Sequence, residues 1–476
     1  MAASIYWYDF ETFGVDPRRD RASQFAGIRT DENLNIIDEP QSFYCQPADD
    51  FLPSPVSCLI TGITPQKALT EGVPEAEFIA RIADEFQQPA TCVAGYNSIR
   101  FDDEVTRQLL YRNFYDPYER EWQNGNSRWD IIDMLRLCAA VRPQGINWPM
   151  SETGHVSFRL EELTKANNIE HENAHDALSD VYATIAMAKI VKEQQPKLYE
   201  YVYQLRNKKR VLAEIDLATH KPFVHVSGMY AAEHGRLALV MPLCRHPSNN
   251  NGIVVYDLRA DPDTWLHLST DEIRRRVFTP QRELGEGEER IPLKTIHVNR
   301  CPIVAAASVL EDSVATAIDI DRDSCRAHWQ RLQSTTGLQG LILDVLRDEP
   351  RELENDPDFM IYSGGFFSDA DKSLMRTVRG TPPADLGRLD LPFRDRRLPE
   401  MLFRYRARNY PDTLSDEEQG RWQAFRDSRL ADAGARARYE HGLDEARERG
   451  DTEQQQLIDE VEQYVAQLSP AAGVSE

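Results

Sequence analysis

Residues 4–10, Ser-Ile-Tyr-Trp-Tyr-Asp-Phe, concentrate aromatic and β-branched side chains and predict a strand. Segments 22–29 and 34–45 carry the same signature, so the chain opens as a strand meander. The period then changes. Ile79, Ile82, Ala83 and Phe86 recur at helical spacing within 75–88, and Thr91–Tyr96 returns to a strand pattern. Helices are predicted over 102–115, 130–141, 158–168 and 177–194, the last with Val181, Ile185, Ala188 and Val191 on one stripe. Strands followed by strand–helix alternation predict a mixed α/β sheet domain over residues 1–195. Between 222 and 310 short apolar runs such as Gly252-Ile-Val-Val-Tyr256 are broken by Pro, Gly and Asn. They predict a small β-barrel-like domain within 196–350. From about 355 the pattern is helical and charge-rich, as in Asp444-Glu-Ala-Arg-Glu-Arg449, giving a helical domain over 351–476. Ser469–Glu476 is expected to fray, and no internal repeat is visible.

Length and composition support this division. At roughly 150 residues per domain, 476 residues make about three domains. With 41% hydrophobic and 28% charged residues, the composition is that of a globular protein. No apolar run approaches the roughly 20 residues of a membrane span, and the start lacks the basic and apolar regions of a signal peptide. The seven cysteines form no CxxC pair, which suits reduced thiols and a cytoplasmic location. The net charge of −23 argues against a polyanionic partner, but such a partner needs only a local basic track, and metals can turn carboxylates into a phosphate site.

Three groups carry candidate chemistry. Asp9-Phe-Glu11-Thr12 ends the first strand, and residues two apart on a strand share a face. Among 78 acidic residues a D-x-E triplet is ordinary, yet here it would stand at the rim of a buried sheet, where two like charges call for a cation. Gly95-Tyr-Asn97-Ser-Ile-Arg-Phe101-Asp102 places Asp102 near a helix start, where an acid commonly serves only the helix dipole. His175-Asp176-Ala-Leu-Ser-Asp180 offers Asp176 as an N-cap and Asp180 in the first turn, facing the sheet; a lone His175 there is more often a surface or capping residue.

Taken together, D-x-E-T, N-x-x-x-F-D and H-x-x-x-x-D in this order resemble the DEDD exonuclease superfamily in its histidine-containing branch. The resemblance implies Asp9, Glu11 and Asp180 at a first Mg²⁺, with Asp9 also bridging to a second that Asp102 holds partly through water, and His175 as general base. Mn²⁺ could substitute. Hard divalent ions suit four carboxylates, and two ions together activate water and clamp the leaving oxygen in phosphodiester hydrolysis. Longer words narrow the family. Gly95-Tyr-Asn-Ser-Ile-Arg-Phe-Asp-Asp-Glu-Val105, Tyr111-Arg-Asn-Phe-Tyr-Asp-Pro117, Arg142-Pro-Gln-Gly-Ile-Asn-Trp-Pro149, His225-Val-Ser-Gly-Met229 and Tyr405-Arg-Ala-Arg-Asn-Tyr410 are similar to the bacterial exodeoxyribonuclease I family. The likeness is weaker over 260–350 and after about 430.

That resemblance implies an RNase H-like exonuclease domain, an SH3-like barrel domain and a helical C-terminal domain. The implied activity is processive 3′→5′ degradation of single-stranded DNA to 5′-mononucleotides, in repair and recombination. Besides Glu11, candidate substrate contacts are Arg159 at a helix start, Arg107 on the helix after Asp102, and Phe13 as a stacking platform; surface charge or core packing are their plain alternatives. Arg206-Asn-Lys-Lys-Arg210 is the densest basic run and either tracks phosphates or is a solvated linker. The family also implies binding of the acidic C-terminal tail of single-strand DNA-binding protein, with Arg142, Tyr201 and Lys221 as the pocket. A monomer is expected, since no heptad seam stands out. An RNA exonuclease of the same fold and an inactive single-strand binding protein are the competing readings. The two large additional domains count against the first, and five occupied motif positions against the second.

Overall fold

The computed structural model describes residues 3–170, 176–347 and 354–468, which divide into two compact units. The first comprises residues 3–127, 176–182 and 354–468. Its sheet is built from β1 (Ser4–Thr12), β2 (Ala22–Asp31), β3 (Gln41–Tyr44) and β4 (Thr91–Gly95). β1 runs antiparallel to β2 and parallel to β4, and β3 pairs antiparallel with β2. The sheet is therefore mixed, as the meander followed by a helix predicts. Tyr6, Tyr8 and Phe10 leave one face of β1 and pack with Phe25, Phe78, Ile82 and Phe86, the last three from helix Glu75–Phe86. On the other face the buried Trp7 donates through Nε1 to Thr30 Oγ1 at 2.9 Å.

The strand expected over 34–45 is shorter. Leu34 has φ 68° in a polar turn, Ile36 makes only an isolated bridge to Thr30, and regular pairing begins at Gln41. Helices Pro55–Thr61 and Pro65–Glu71 were not expected; in each a Ser or Thr side chain caps a helix that opens on proline. Phe13, Cys58, Ile63 and Ala68 share a core cluster with Tyr439, Val461, Tyr464 and Val465, so the C-terminal helices pack in the same unit as the first sheet.

The second unit comprises residues 128–170 and 183–347. β5 (Ser127–Asp130) begins in the first unit and continues into the second, and helix Ala177–Gln194 does the same after Tyr182. A second sheet follows: β6 (Phe223–Val226), β7 (Leu237–Arg245), β8 (Gly252–Asp257), β9 (Leu293–His297) and β10 (Ile303–Ala306). Its order is β10-β6-β7-β8-β9, antiparallel throughout, an open half-barrel flanked by helices. The mixed sheet, the half-barrel and the helical C-terminal stretch follow one another in the expected order. The compact units, however, cut across the boundaries at 195 and 350. Among the described residues no helix is long and apolar enough to cross a membrane.

Candidate active site

Alternation along β1 sends Tyr8 and Phe10 into the core, leaving Asp9 and Glu11 half-buried on the opposite face. Glu11 lies opposite Gln24, and the register slips immediately afterwards, between Glu11 and Thr12. After β4 the chain turns through Asn97, at φ 57°, a conformation Asn tolerates better than most residues. Gly95 makes that turn compact, because a Cβ there would meet Ser98 Cβ at 2.7 Å. Asp102 then opens helix Asp102–Arg112, and its carboxylate accepts the Phe10 backbone N–H at 3.2 Å. The helix start is thereby tied to β1 between the two strand acids. Asp103 anchors it from behind, buried, accepting from Tyr8 OH at 2.9 Å and from Arg120 at 2.6 Å.

Asp180 arrives from the first turn of helix Ala177–Gln194. Asp176 caps that helix as expected, accepting the Ser179 N–H at 3.2 Å; its other oxygen accepts from Gln24 Nε2 at 3.2 Å. Sequence reasoning gave Gln24 and Asp103 no part in the site. Only register and side-chain direction reveal them.

Carboxylate oxygens of Asp9, Glu11 and Asp180 lie within 4.8 Å of one another. Burial, then Asp102, Glu11 and Asp180, hold the Asp9 carboxyl well above its usual range. Glu11 is pushed up to about 9 by burial, Asp180, Asp102 and Asp176. Four acids cannot all carry charge at neutral pH in such a space without a counter-ion. The donor set is all oxygen, which suits a hard divalent cation. His175 lies outside the described residues.

Other candidates separate. Phe13 is corrected: it is 1% exposed, inside a core cluster and beside Phe51, so it is a packing residue with no face for a base. Arg107 is corrected likewise. Its buried guanidinium is spent on Glu121 (2.8 Å), Glu104 (2.6 Å) and Tyr362 OH (3.2 Å). Arg159, at 73% side-chain exposure, makes only a 3.8 Å contact to Glu162 and belongs to the second unit. In the basic run, Arg206 covers the Tyr203 ring at 3.6 Å, Asn207 caps helix Lys208–Glu214, and Arg210 pairs with Glu214 at 3.2 Å. Arg142 lines a cavity of about 610 Å³ with Met150, Phe158, Arg236 and Glu311 and pairs with Glu311 at 3.2 Å. Tyr201 instead lines a separate hollow and donates to Val304 O at 2.7 Å, while Lys221 is exposed.

Family models match in series: "Exonuclease" over residues 6–188, "Exonuclease I SH3-like domain" over 206–348 and "Exonuclease I C-terminal domain" over 355–468. The exodeoxyribonuclease I of Escherichia coli (strain K12) is 48% identical over 425 residues, 89% of each chain. Among solved structures, an exonuclease I from Methylocaldum szegediense superposes with TM-score 0.94 at 49% identity, covering 98% of this chain and 100% of that one. The E. coli exonuclease I in complex with a dA16 oligonucleotide gives TM-score 0.94 at 45% identity, with coverage of 98% and 100%. A zinc-ion-bound E. coli exonuclease I–single-stranded DNA complex is equally similar, with TM-score 0.94 at 45% identity and the same coverage.

Proposed function

The chain belongs to the exodeoxyribonuclease I family and is an exonuclease of single-stranded DNA, and from that premise we propose that it works processively from the 3′ end. It releases 5′-mononucleotides by hydrolysis at two divalent ions. The observation that carries this reading is the meeting of Asp9, Glu11 and Asp180 oxygens within 4.8 Å. These three would hold the first ion; Asp9 and Asp102 would hold the second. Bound there, such ions supply water activation and charge neutralisation at phosphorus. Mg²⁺ is the proposed metal because an all-carboxylate set suits a hard ion, and the zinc-bound relative supports divalent occupancy without fixing its identity. Mn²⁺ would substitute.

The chain's own contribution is positional. Helix Asp102–Arg112 is pinned to β1 through the Phe10 N–H, and Asp103 holds it rigid through Tyr8 and Arg120. Strand and helix acids are therefore presented at fixed spacing. His175 would act as the general base that takes a proton from the attacking water. The acidic tail of single-strand DNA-binding protein is assigned to the Arg142 cavity, where Met150, Val156 and Phe158 would take an apolar residue and Arg142 would exchange Glu311 for its carboxylate. The working form is a cytoplasmic monomer serving repair and recombination.

The test is a single strand labelled at one end, incubated with Mg²⁺. A 5′-labelled strand is expected to shorten progressively, while a 3′-labelled strand releases its label at once as a mononucleotide. Asp9→Ala abolishes both but leaves strand binding intact. Immediate release of a 5′ label would reverse the direction, and cleavage by Asp9→Ala would remove the metal assignment.

A further inference from the structure

Gln24 has no place in the acid motif, yet its side chain lies buried, 3% exposed, on the face of the sheet that carries Asp9 and Glu11. Directly opposed residues of an antiparallel pair project to the same side, and the β1–β2 register sets Glu11 against Gln24 and Asp9 against Ala26. β3 extends this face through Ser42, which lies opposite Ala26. The Gln24 amide nitrogen carries two N–H groups and engages both, one with Ser42 Oγ at 3.2 Å and one with Asp176 Oδ2 at 3.2 Å. An ionised carboxylate only accepts, so the amide nitrogen and not its oxygen must face Asp176. Asp176 is a junction in its turn. Its Oδ1 accepts the Ser179 N–H at 3.2 Å, and its backbone carbonyl accepts the Asp180 N–H at 3.1 Å. One carboxylate therefore caps helix Ala177–Gln194 with one oxygen and docks the start of that helix on β2 with the other.

The choice of an amide here has a physical reason. An apolar residue would fill the same strand position but leave Asp176 untied. A cation would hold Asp176 more strongly, but it would also stand as a counter-ion among the acids, in competition with divalent ions. Glutamine supplies donors without charge, so the tether leaves the acidic field intact. Burial and the neighbouring acids, Asp176 among them, hold Asp9 and Glu11 above their usual range, so Asp176 stands within that field. We propose that Gln24 is a positioning residue for the hydrolysis: by tying the Asp176 cap to the sheet, it sets the separation of Asp180 from Asp9 and Glu11. His175, the proposed base, immediately precedes the tethered residue in the chain. The inference rests on the proposed two-ion reaction and adds to it a residue outside the motif. Precision matters at such a site, because a misplacement of about 1 Å can lower the rate by about a hundredfold.

The experiment pairs kinetics with amide hydrogen exchange. Gln24→Met keeps the length of the side chain and removes both donors. It is expected to lower kcat on an oligothymidine strand by about tenfold to a hundredfold, with KM and the unfolding midpoint unchanged. With Mg²⁺ withheld, exchange over residues 177–182 is expected to quicken in the same variant, a readout independent of turnover. Gln24→Glu sets two acids face to face and is expected to lose kcat as well. Adding Asp176→Asn lets donor and acceptor trade places while Asn still caps the helix, and is expected to recover most of the loss. Wild-type kcat in Gln24→Met, unchanged exchange over 177–182, or an exchanged pair no better than Gln24→Glu alone each overturns the proposal. If Asp9→Ala still cleaves while Gln24→Met loses kcat and protection, the metal reading fails and the tether stands; the reverse pattern removes the tether alone.

Discussion

Aromatic residues and acids alternate along β1, and the fate of each side chain follows from that alternation together with what each face meets. Asp9 and Glu11 were legible because the alternation is local. Asp102 and Asp180 were legible as motif members, and the fold explains their types: each stands in the first turn of a helix, where an acid is favoured, and each is aimed at β1. Phe13 and Arg107 were misread for a common reason. An aromatic or a cation near a motif can serve the core as easily as a ligand, and only neighbours distant in sequence decide between the two. For Phe13 the deciding neighbours include Leu430, Tyr439 and Val461. Phe13→Ala is therefore expected to cost about 3–5 kcal/mol of stability, read from denaturant midpoints, with KM for single strands unchanged. A raised KM with unaltered stability would return Phe13 to a stacking role.

Pairing between elements is carried in the first unit by buried ions as much as by apolar contact. Arg408, on helix Leu398–Asn409, reaches Asp50 at 2.7 Å and Asp358 at 2.5 Å; Arg429 joins both at 2.7 and 3.2 Å. Nearby, Glu75 at the start of helix Glu75–Phe86 accepts from Arg112 (2.9 Å) and Asn113 (2.8 Å). Burial opposes the charged form of each acid, but the arginines prevail: Asp50 and Asp358 lie well below the usual carboxylate range, and Glu75 falls from 4.5 to about 2. A depressed folded-state pKa gives stability that is complete above the unfolded value and lost as pH falls through the folded one. Glu75 alone would contribute on the order of 3 kcal/mol, lost between about pH 4.5 and pH 2. Unfolding midpoints are expected to drop across that window, and Glu75→Gln to be less stable at neutral pH with a flatter acid limb. An acid limb as steep as that of the wild type would show that Glu75 does not contribute. None of these pairings was legible, since each joins segments far apart in the chain. The proline-opened helices Pro55–Thr61 and Pro65–Glu71, by contrast, carried their start signals openly and were simply too short to show a period.

At the scale of the molecule, the order of the three sequence stretches was readable, but the compact units were not. Residues 354–468 fold with the first sheet, while 128–170, inside the expected first domain, belong with the half-barrel. A requirement for single strands also belongs to this scale, because a paired 3′ end must be opened before its phosphodiester can enter a site that takes only a single strand. At about 1.4 kcal/mol per stacked step, freeing two to four pairs costs roughly 3–6 kcal/mol, or about 10²–10⁴ in rate. A blunt duplex is expected to be degraded slower than the matched single strand by that factor. Equal rates would mean that the protein itself supplies the opening.

Most elements and their order are readable from the chain alone, because strand alternation, helix period and capping are set by neighbours within a few residues, whereas the distant acids are readable only as members of a motif. Folding alone brings Asp180 within reach of the face that Asp9 and Glu11 share, makes Phe13 and Arg107 internal, and sets Asp103 and Gln24 beside the site. Each of those outcomes depends on contacts between residues tens to hundreds of positions apart, where no local pattern records who the neighbour will be.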